Sequence, residues 1–260
     1  GRAFLAELDE MLEDKGAPIP LNSLTRNQLS EYDWPQVVCW LGARLAEALD
    51  YSHDKGVLHR DLKPANVLVA DDGSPKLADF NISFSNQVEG SSPVAYFGGS
   101  LAYMSPEQLE ACLPASERTP EDLDARSDIY SVGILVWELL SGKRPFPDLA
   151  WALSGPQLLN EMIEDRRKGP DITELPDDVP PLLVDVLLRA LQPDREQRIA
   201  SGSDLARQLD LCLDPEVQRV LSPPGQKFKQ TLVKFPRTTI IGIVAICNIC
   251  MSLLNIYYNQ

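Results

Sequence analysis

Between residues 59 and 80 the chain carries the strings HRDLKPAN and, further on, LADF. Asp61 offers a carboxylate that can accept a proton from a hydroxyl and orient that hydroxyl for attack. Lys63, two residues on, places an ammonium where it can neutralise negative charge developing in a transition state. Asn66 offers a side-chain carbonyl oxygen and Asp79 a carboxylate, and such oxygens are what a hard cation such as Mg²⁺ prefers. Each residue alone has a plainer reading. Asp61 could cap a turn, Asn66 could satisfy backbone, Asp79 could sit in a surface turn and His59 could be a packed core histidine.

These residues need elements to bring them together. Short strands are expected at VLH (57–59), NVLVA (66–70) and PKLA (75–78), with Asp72-Gly73 as a hairpin turn between the last two. Asp61 then ends the first strand, and the hairpin returns Asp79 to the edge that holds Asn66. Upstream, apolar residues at 4, 5, 8, 11 and 12 give a helical period over 2–14, followed by a polar connector, LNSLTRNQLSEYD. A long helix is expected from about Trp34 to His53, with Asp33 at its start, Pro35 in its first turn and Gly56 beyond its end. Its buried face is Val37, Val38, Leu41, Leu45, Ala48 and Leu49.

Downstream, residues 83–100 are rich in Ser and Gly and read as a long loop. RSDIYSVGILVWELLSGKRPF is the strongest helical segment: Ser127 can cap it, Gly142 ends it, and its middle is apolar almost all round, as in a helix buried at the centre of a domain. Two more helices are expected near 181–192 and 203–213.

The chain has 260 residues, 44% of them hydrophobic, enough for one sizeable core or one domain with an appendage. A net charge of −14 argues against a nucleic-acid binder. Five scattered cysteines, at 39, 112, 212, 247 and 250, fit a reducing compartment better than a disulfide framework. Cys247 and Cys250 lack the second ligand pair of a zinc site. The chain opens on an acidic amphipathic stretch and not on a signal peptide, and it begins with Gly, as a fragment would. Near the end, KFKQTLVKFPR (227–237) is basic and everything from Thr238 onward is uncharged. A single transmembrane helix is expected over 238–258, with Tyr257 and Tyr258 in its interfacial belt. Lys227, Lys229, Lys234 and Arg237 before it put the preceding domain on the cytoplasmic side.

LHRDLKPAN resembles the catalytic loop of the protein kinase superfamily, H-R-D-x-x-x-x-N, in the Leu-Lys-Pro-x-Asn form of its Ser/Thr members. LADF is similar to the family's Asp-Phe-Gly loop, with Asn81 in place of glycine. SLAYMSPEQLE (100–110) looks like the end of an activation segment, with Ser105-Pro106-Glu107 for Ala-Pro-Glu. The resemblance implies an α+β kinase-like fold, here the mainly helical C-terminal lobe (1–213) with a small β-hairpin. A juxtamembrane linker (214–237) and the membrane helix follow. It implies that Asp61 and Lys63 are catalytic, that Lys63, Asn66, Leu68 and Asp79 contact ATP, and that Asn66 and Asp79 hold Mg²⁺. His59 would pack against Phe80 and not act as a base. Ser100 would bond to Asp61 and Lys63, Asp128 would hold the backbone of the catalytic loop, and Arg198 would pair with Glu107. Arg60 would meet a phosphate on the activation loop, for which Ser91 and Ser92 are the candidate sites.

The chain departs from the family in places. Asp194-Arg195-Glu196-Gln197-Arg198-Ile199 lacks both prolines of Asp-Pro-x-x-Arg-Pro, which puts the local loop geometry in question. The glycine-rich loop, strand lysine and helix glutamate that clamp ATP are not found before Gly56, so the sequence reads as a fragment that begins just after the interlobe hinge. Asn81 occupies a position that calls for backbone freedom, and asparagine enters the left-handed region more readily than most residues. The leading expectation is a bacterial, membrane-anchored Ser/Thr protein kinase in signalling, acting on protein substrates and pairing with a second copy for autophosphorylation. The rivals are a pseudokinase serving as a membrane-tethered scaffold and, lower, a small-molecule phosphotransferase, which would usually lack the Leu-Lys-Pro string.

Overall fold

The computed structural model describes residues 1–80, 98–149 and 153–221. The chain divides into two units, Gly1–Gln218 and Arg219–Gln260, and the second contributes only residues 219–221 to the described part. Asn81, Ser91, Ser92 and the expected membrane span over 238–258 lie outside the described residues. Among the described residues no helix is long and apolar enough to cross a membrane.

The chain starts with α1 (Arg2–Asp14) and α2 (Leu24–Glu31). The second lies within the stretch expected as a connector. Its signal is faint because its anchors are few: the Ser23 hydroxyl accepts from the Arg26 amide, Leu29 is fully buried, and Arg26 is buried in an ion pair with Asp9 of α1. The long α3 (Trp34–His53) follows, opened by a capping box in which Asp33 and Gln36 satisfy each other's backbone amides at 2.9 and 3.0 Å. Val37, Val38, Leu41, Leu45 and Leu49 are buried as expected, and Cys39, Trp40, Ala43 and Ala46 widen the buried face. Gly56, with φ +74°, turns the chain beyond it.

Strands β1 (Val67–Val69) and β2 (Pro75–Leu77) form an antiparallel pair with Leu68 opposite Lys76. The turn runs through Ala70–Ser74, where Gly73 takes φ +89° and Asp72 accepts from the Ser74 amide at 2.8 Å. VLH (57–59), expected as a strand, is not one. Its amides find partners other than a neighbouring strand: Val57 donates to the Ser52 carbonyl at 3.0 Å and His59 to the Asp128 carboxylate at 2.8 Å. Asp61 therefore sits on a loop and not at a strand end.

After α4 (Pro106–Ala111) comes α5 (Ala125–Ser141). Asp124, not Ser127, caps α5, its carboxylate accepting from the Arg126 amide at 2.9 Å. The helix thus begins earlier than expected, and Ser127 is left inside the first turn for another task. Every residue from Ser127 to Trp137 is buried, and Gly142 at φ +74° ends the helix with its amide on the Glu138 carbonyl. Then come α6 (Gly155–Lys168), a helix not among those expected, α7 (Pro181–Ala190), α8 (Gly202–Leu211) and α9 (Pro215–Leu221). The main apolar core joins α3, α5, α7 and α8, and a second cluster packs Leu101 and Met104 against α4 and α6. Among the described residues the fold is mostly helical with one two-stranded sheet.

The approach of α8 to α3 is tight enough to exclude a methyl group at Gly202. A Cβ there would lie 2.3 Å from the Ala46 carbonyl oxygen and 2.9 Å from the Asp50 amide nitrogen. Gly202→Ala is expected to destabilise the fold by about 1–3 kcal/mol, as overpacking does. Urea denaturation would report this as a lower midpoint at unchanged slope.

Candidate active site

The site begins at Asp128, in the first turn of α5, which is 1% exposed. Its two oxygens accept from the amides of His59 (2.8 Å) and Arg60 (2.7 Å), so one carboxylate fixes two successive peptide units of the loop that carries Asp61. His53, the last residue of α3, brings its Nε2 within 2.7 Å of the same carboxylate. An ionised carboxylate only accepts, so His53 Nε2 carries the proton. Arg60 takes φ +64°, a conformation costly for a residue with a Cβ, and it is held on both sides, its amide by Asp128 and its carbonyl by Gln108.

His59 is fully buried and both ring nitrogens are engaged. Its Nδ1 accepts from the Asp61 amide at 3.4 Å, which leaves Nε2 to donate to the Ala78 carbonyl at 3.0 Å. Its ring lies 4.6 Å from that of Phe80, tilted by 39°. This histidine is packing and wiring, with no nitrogen left for acid–base work.

Asp61 Oδ2 accepts from Lys63 Nζ at 2.8 Å and from Asn66 Nδ2 at 3.1 Å. Asn66 Nδ2 also donates to the Asp61 carbonyl at 2.8 Å. Asp61 Oδ1 is buried and, among the described residues, without a hydrogen-bond partner. A bare buried oxygen costs stability unless something else fills it, and it is chemically able to accept from a hydroxyl. With its amide nitrogen committed to Asp61, Asn66 has Oδ1 left to offer. The Ala78 amide donates to the Asn66 carbonyl at 2.9 Å, so Asp79 follows directly from the residue paired with Asn66. Asp79 itself takes φ +55°. Among the described residues no group of three or more His, Cys, Asp or Glu side chains could hold a metal unaided. Asn66 Oδ1 and the Asp79 carboxylate are oxygen donors of the kind a hard cation prefers. Leu68, 58% exposed, leaves an apolar face on the hairpin open.

The segment beyond is tied to this loop. Gln108 donates from Nε2 to the Arg60 carbonyl at 3.0 Å. Arg198 meets Glu107 through two parallel bonds, 2.6 and 3.1 Å, and Ser127 donates to the same carboxylate at 2.9 Å. Burial works against the Glu107 charge, but the Arg198 bonds and charge, with help from backbone and Ser127, outweigh it and hold its carboxyl below the ordinary range. The missing prolines do not keep Arg198 away. Asp194 accepts from the Glu196 amide and from Gln197 Nε2, both at 3.0 Å, and builds the turn through hydrogen bonds. The Ser100 side chain lies outside the described residues. His53, Gln108 and Arg166 carry no signal in motif spacing, because each acts on a backbone or carboxylate far away in sequence.

Residues 21–209 match the protein kinase domain family, and the chain belongs to that family. It is 34% identical over 173 residues to a probable serine/threonine-protein kinase of Streptomyces coelicolor, covering 65% of this chain and 23% of that protein. It is 37% identical over 176 residues to the serine/threonine-protein kinase AfsK of Streptomyces griseus, covering 67% and 19%. It is 35% identical over 159 residues to the serine/threonine-protein kinase PknL of Mycobacterium tuberculosis, covering 59% and 36%. The chain spans about a quarter of the length of the first curated relatives it matches.

Removing Arg198 strands a buried carboxylate. Arg198→Met is expected to cost about 3–5 kcal/mol, and adding Glu107→Gln should recover part of it in a double-mutant cycle. Because the folded-state value of Glu107 lies below its ordinary 4.5, its contribution is complete above that pH and is lost as pH falls through the lower folded value. Acid unfolding of Glu107→Gln should lack this component.

Proposed function

We propose that the protein transfers the γ-phosphoryl group of ATP to Ser or Thr hydroxyls of protein substrates. The observation that carries the reading is the Asp61 carboxylate: one oxygen held by Lys63 and Asn66, the other buried and bare, on a loop pinned by Asp128. Asp61 Oδ1 accepts the proton of the incoming hydroxyl and aims its oxygen. Lys63, held within reach of that carboxylate, offsets negative charge on the group in flight. Asn66 Oδ1 and the Asp79 carboxylate hold Mg²⁺, which when bound neutralises charge on the phosphates. Leu68 lies against the adenine, and Ser100 bonds to Asp61 and Lys63. Arg60 receives a phosphate placed at Ser91 or Ser92 by a second copy of the protein. The basic 227–237 stretch and the uncharged run after it support a membrane anchor at 238–258 with the kinase domain on the cytoplasmic side. The serine/threonine-protein kinase names of the relatives support the substrate class.

The test is autophosphorylation of the full-length protein. Asp61→Asn should lower the rate by about 10²–10⁴-fold. Asp79→Ala should abolish it, whereas Asn81→Gly should change it only modestly. A wild-type signal no higher than that of Asp61→Asn would overturn the transferase reading in favour of a scaffold. Mass spectrometry of the active sample should find phosphate within residues 83–100, and alkaline washing should leave the protein in the membrane fraction. Phosphate found only elsewhere would sink the Arg60 role, and release by the wash would sink the anchor.

A further inference from the structure

Arg166, on the last turn of α6, is 1% exposed and among the largest fully buried side chains of the molecule. A buried guanidinium ordinarily faces a carboxylate. Among the described residues Arg166 makes no ion pair. Its Nε donates to the Met104 carbonyl at 2.7 Å, and its Nη2 donates to the carbonyls of Leu101 and Ala102, both at 3.0 Å. Nη1 donates to the Met162 carbonyl in its own helix at 3.1 Å, and the guanidinium lies 5.2 Å from the centre of the Phe146 ring. Burial pushes the guanidinium's pKa down, and no carboxylate is bonded to it to restore it.

The remaining carbonyl of that stretch is also taken. Ser131, on α5, donates to the Tyr103 carbonyl at 2.9 Å. All four successive carbonyls from Leu101 to Met104 are thus turned inward and held by side chains, three of them by one residue. Beyond Met104, Ser105 caps α4, and Gln108 of α4 reaches the Arg60 carbonyl next to Asp61. The segment is therefore clamped to α6 at one end and keyed to the proposed catalytic loop at the other. Only arginine supplies several donors in a rigid plane; a lysine ammonium at the same place is a point charge with three donors and no fork.

We infer that Arg166 is a positioning residue for protein-substrate recognition: it fixes the backbone of Leu101–Met104 as a preformed ledge on which the substrate chain beside the acceptor hydroxyl rests. The inference rests on the kinase reading, and it gives this segment the substrate-docking role because Gln108 keys it to the loop that carries Asp61. The ledge is held from the α6 side by bonds that involve no phosphate and no nucleotide. Its loss should weaken engagement of the protein substrate far more than engagement of ATP.

The experiment compares wild type, Arg166→Met and Arg166→Lys in the full-length protein, using a Ser/Thr peptide drawn from a substrate that the wild type phosphorylates. Arg166→Met should raise KM for the peptide by about tenfold or more with little change in KM for ATP, as expected when a binding surface is lost. Arg166→Lys, which keeps the charge and loses the fork, should fall between the two and serves in place of the methionine variant if that one fails to fold. Hydrogen–deuterium exchange on the same proteins should show faster uptake over residues 101–109 and unchanged uptake over the buried part of α5. Unchanged peptide KM, equal increases in both KM values, or unchanged uptake at 101–109 in a folded variant would overturn the inference. A wild type with no transferase activity would instead sink the kinase reading. The clamp would then stand on faster uptake in the variant or fall on its absence.

Discussion

The carboxylate of Asp128 is the constraint on which the site depends. It lies at the start of a helix that is buried along most of its length, and it replaces a neighbouring strand as the partner for two successive amides of the Asp61 loop. A strand would have offered a continuous ladder and would have let the loop leave in an extended conformation. A single carboxylate offers two acceptors and forces the chain to bend around them, which is where Arg60 enters the left-handed region. The rigidity of the site is thus inherited from the core: Asp128 cannot shift without moving the helix, and the helix cannot shift without repacking its neighbours. His53 adds a second constraint from α3, so the two longest of the described helices meet at one side chain.

The first two turns of α5 serve three masters. Ser127 reaches Glu107 and thereby the ion pair with Arg198, Asp128 reaches the Asp61 loop, and Ser131, one turn on, reaches the Tyr103 carbonyl. Segments from widely separated parts of the sequence are registered against one another through a few polar side chains at one end of an apolar helix. Polar groups in such surroundings are costly unless fully bonded, so they tolerate few alternative arrangements.

The residues proposed to carry the chemistry could be grouped from the sequence because their spacing is local. Asp61, Lys63 and Asn66 fall within six positions, and the structure brings their side chains into direct contact. The long helices were legible because α3 has strong caps and α5 an unbroken apolar run. The strand expected at 57–59 was a reasonable reading of a short apolar stretch, but periodicity cannot reveal that its partner is a carboxylate from residue 128. The cap of α5 was misplaced by the presence of two suitable residues, Asp124 and Ser127, of which the earlier one wins and frees the other for Glu107. The connector at 21–33 hid a helix because one buried leucine and one buried arginine make no visible pattern in eight residues. Arg166 was invisible for a related reason: a basic residue near a helix end reads as solvated surface, and only packing shows that it is enclosed.

The hairpin that separates Asn66 from Asp79 has three residues in each strand, and a pair of that size is marginal by itself in water. It is shored up from outside. Arg26 of α2, anchored by Asp9 of α1, donates to the Asp71 carbonyl at 2.9 Å in the turn. A side chain at Gly73 would run into Leu29 at 2.8 Å, so that glycine lets the turn lie flat against the buried leucine of the same helix. The opening thirty residues, which touch none of the chemistry, therefore act as a buttress for the proposed metal ligands. A change that loosened α1 from α2 would be felt as slack between Asn66 and Asp79, at a distance and without altering either residue.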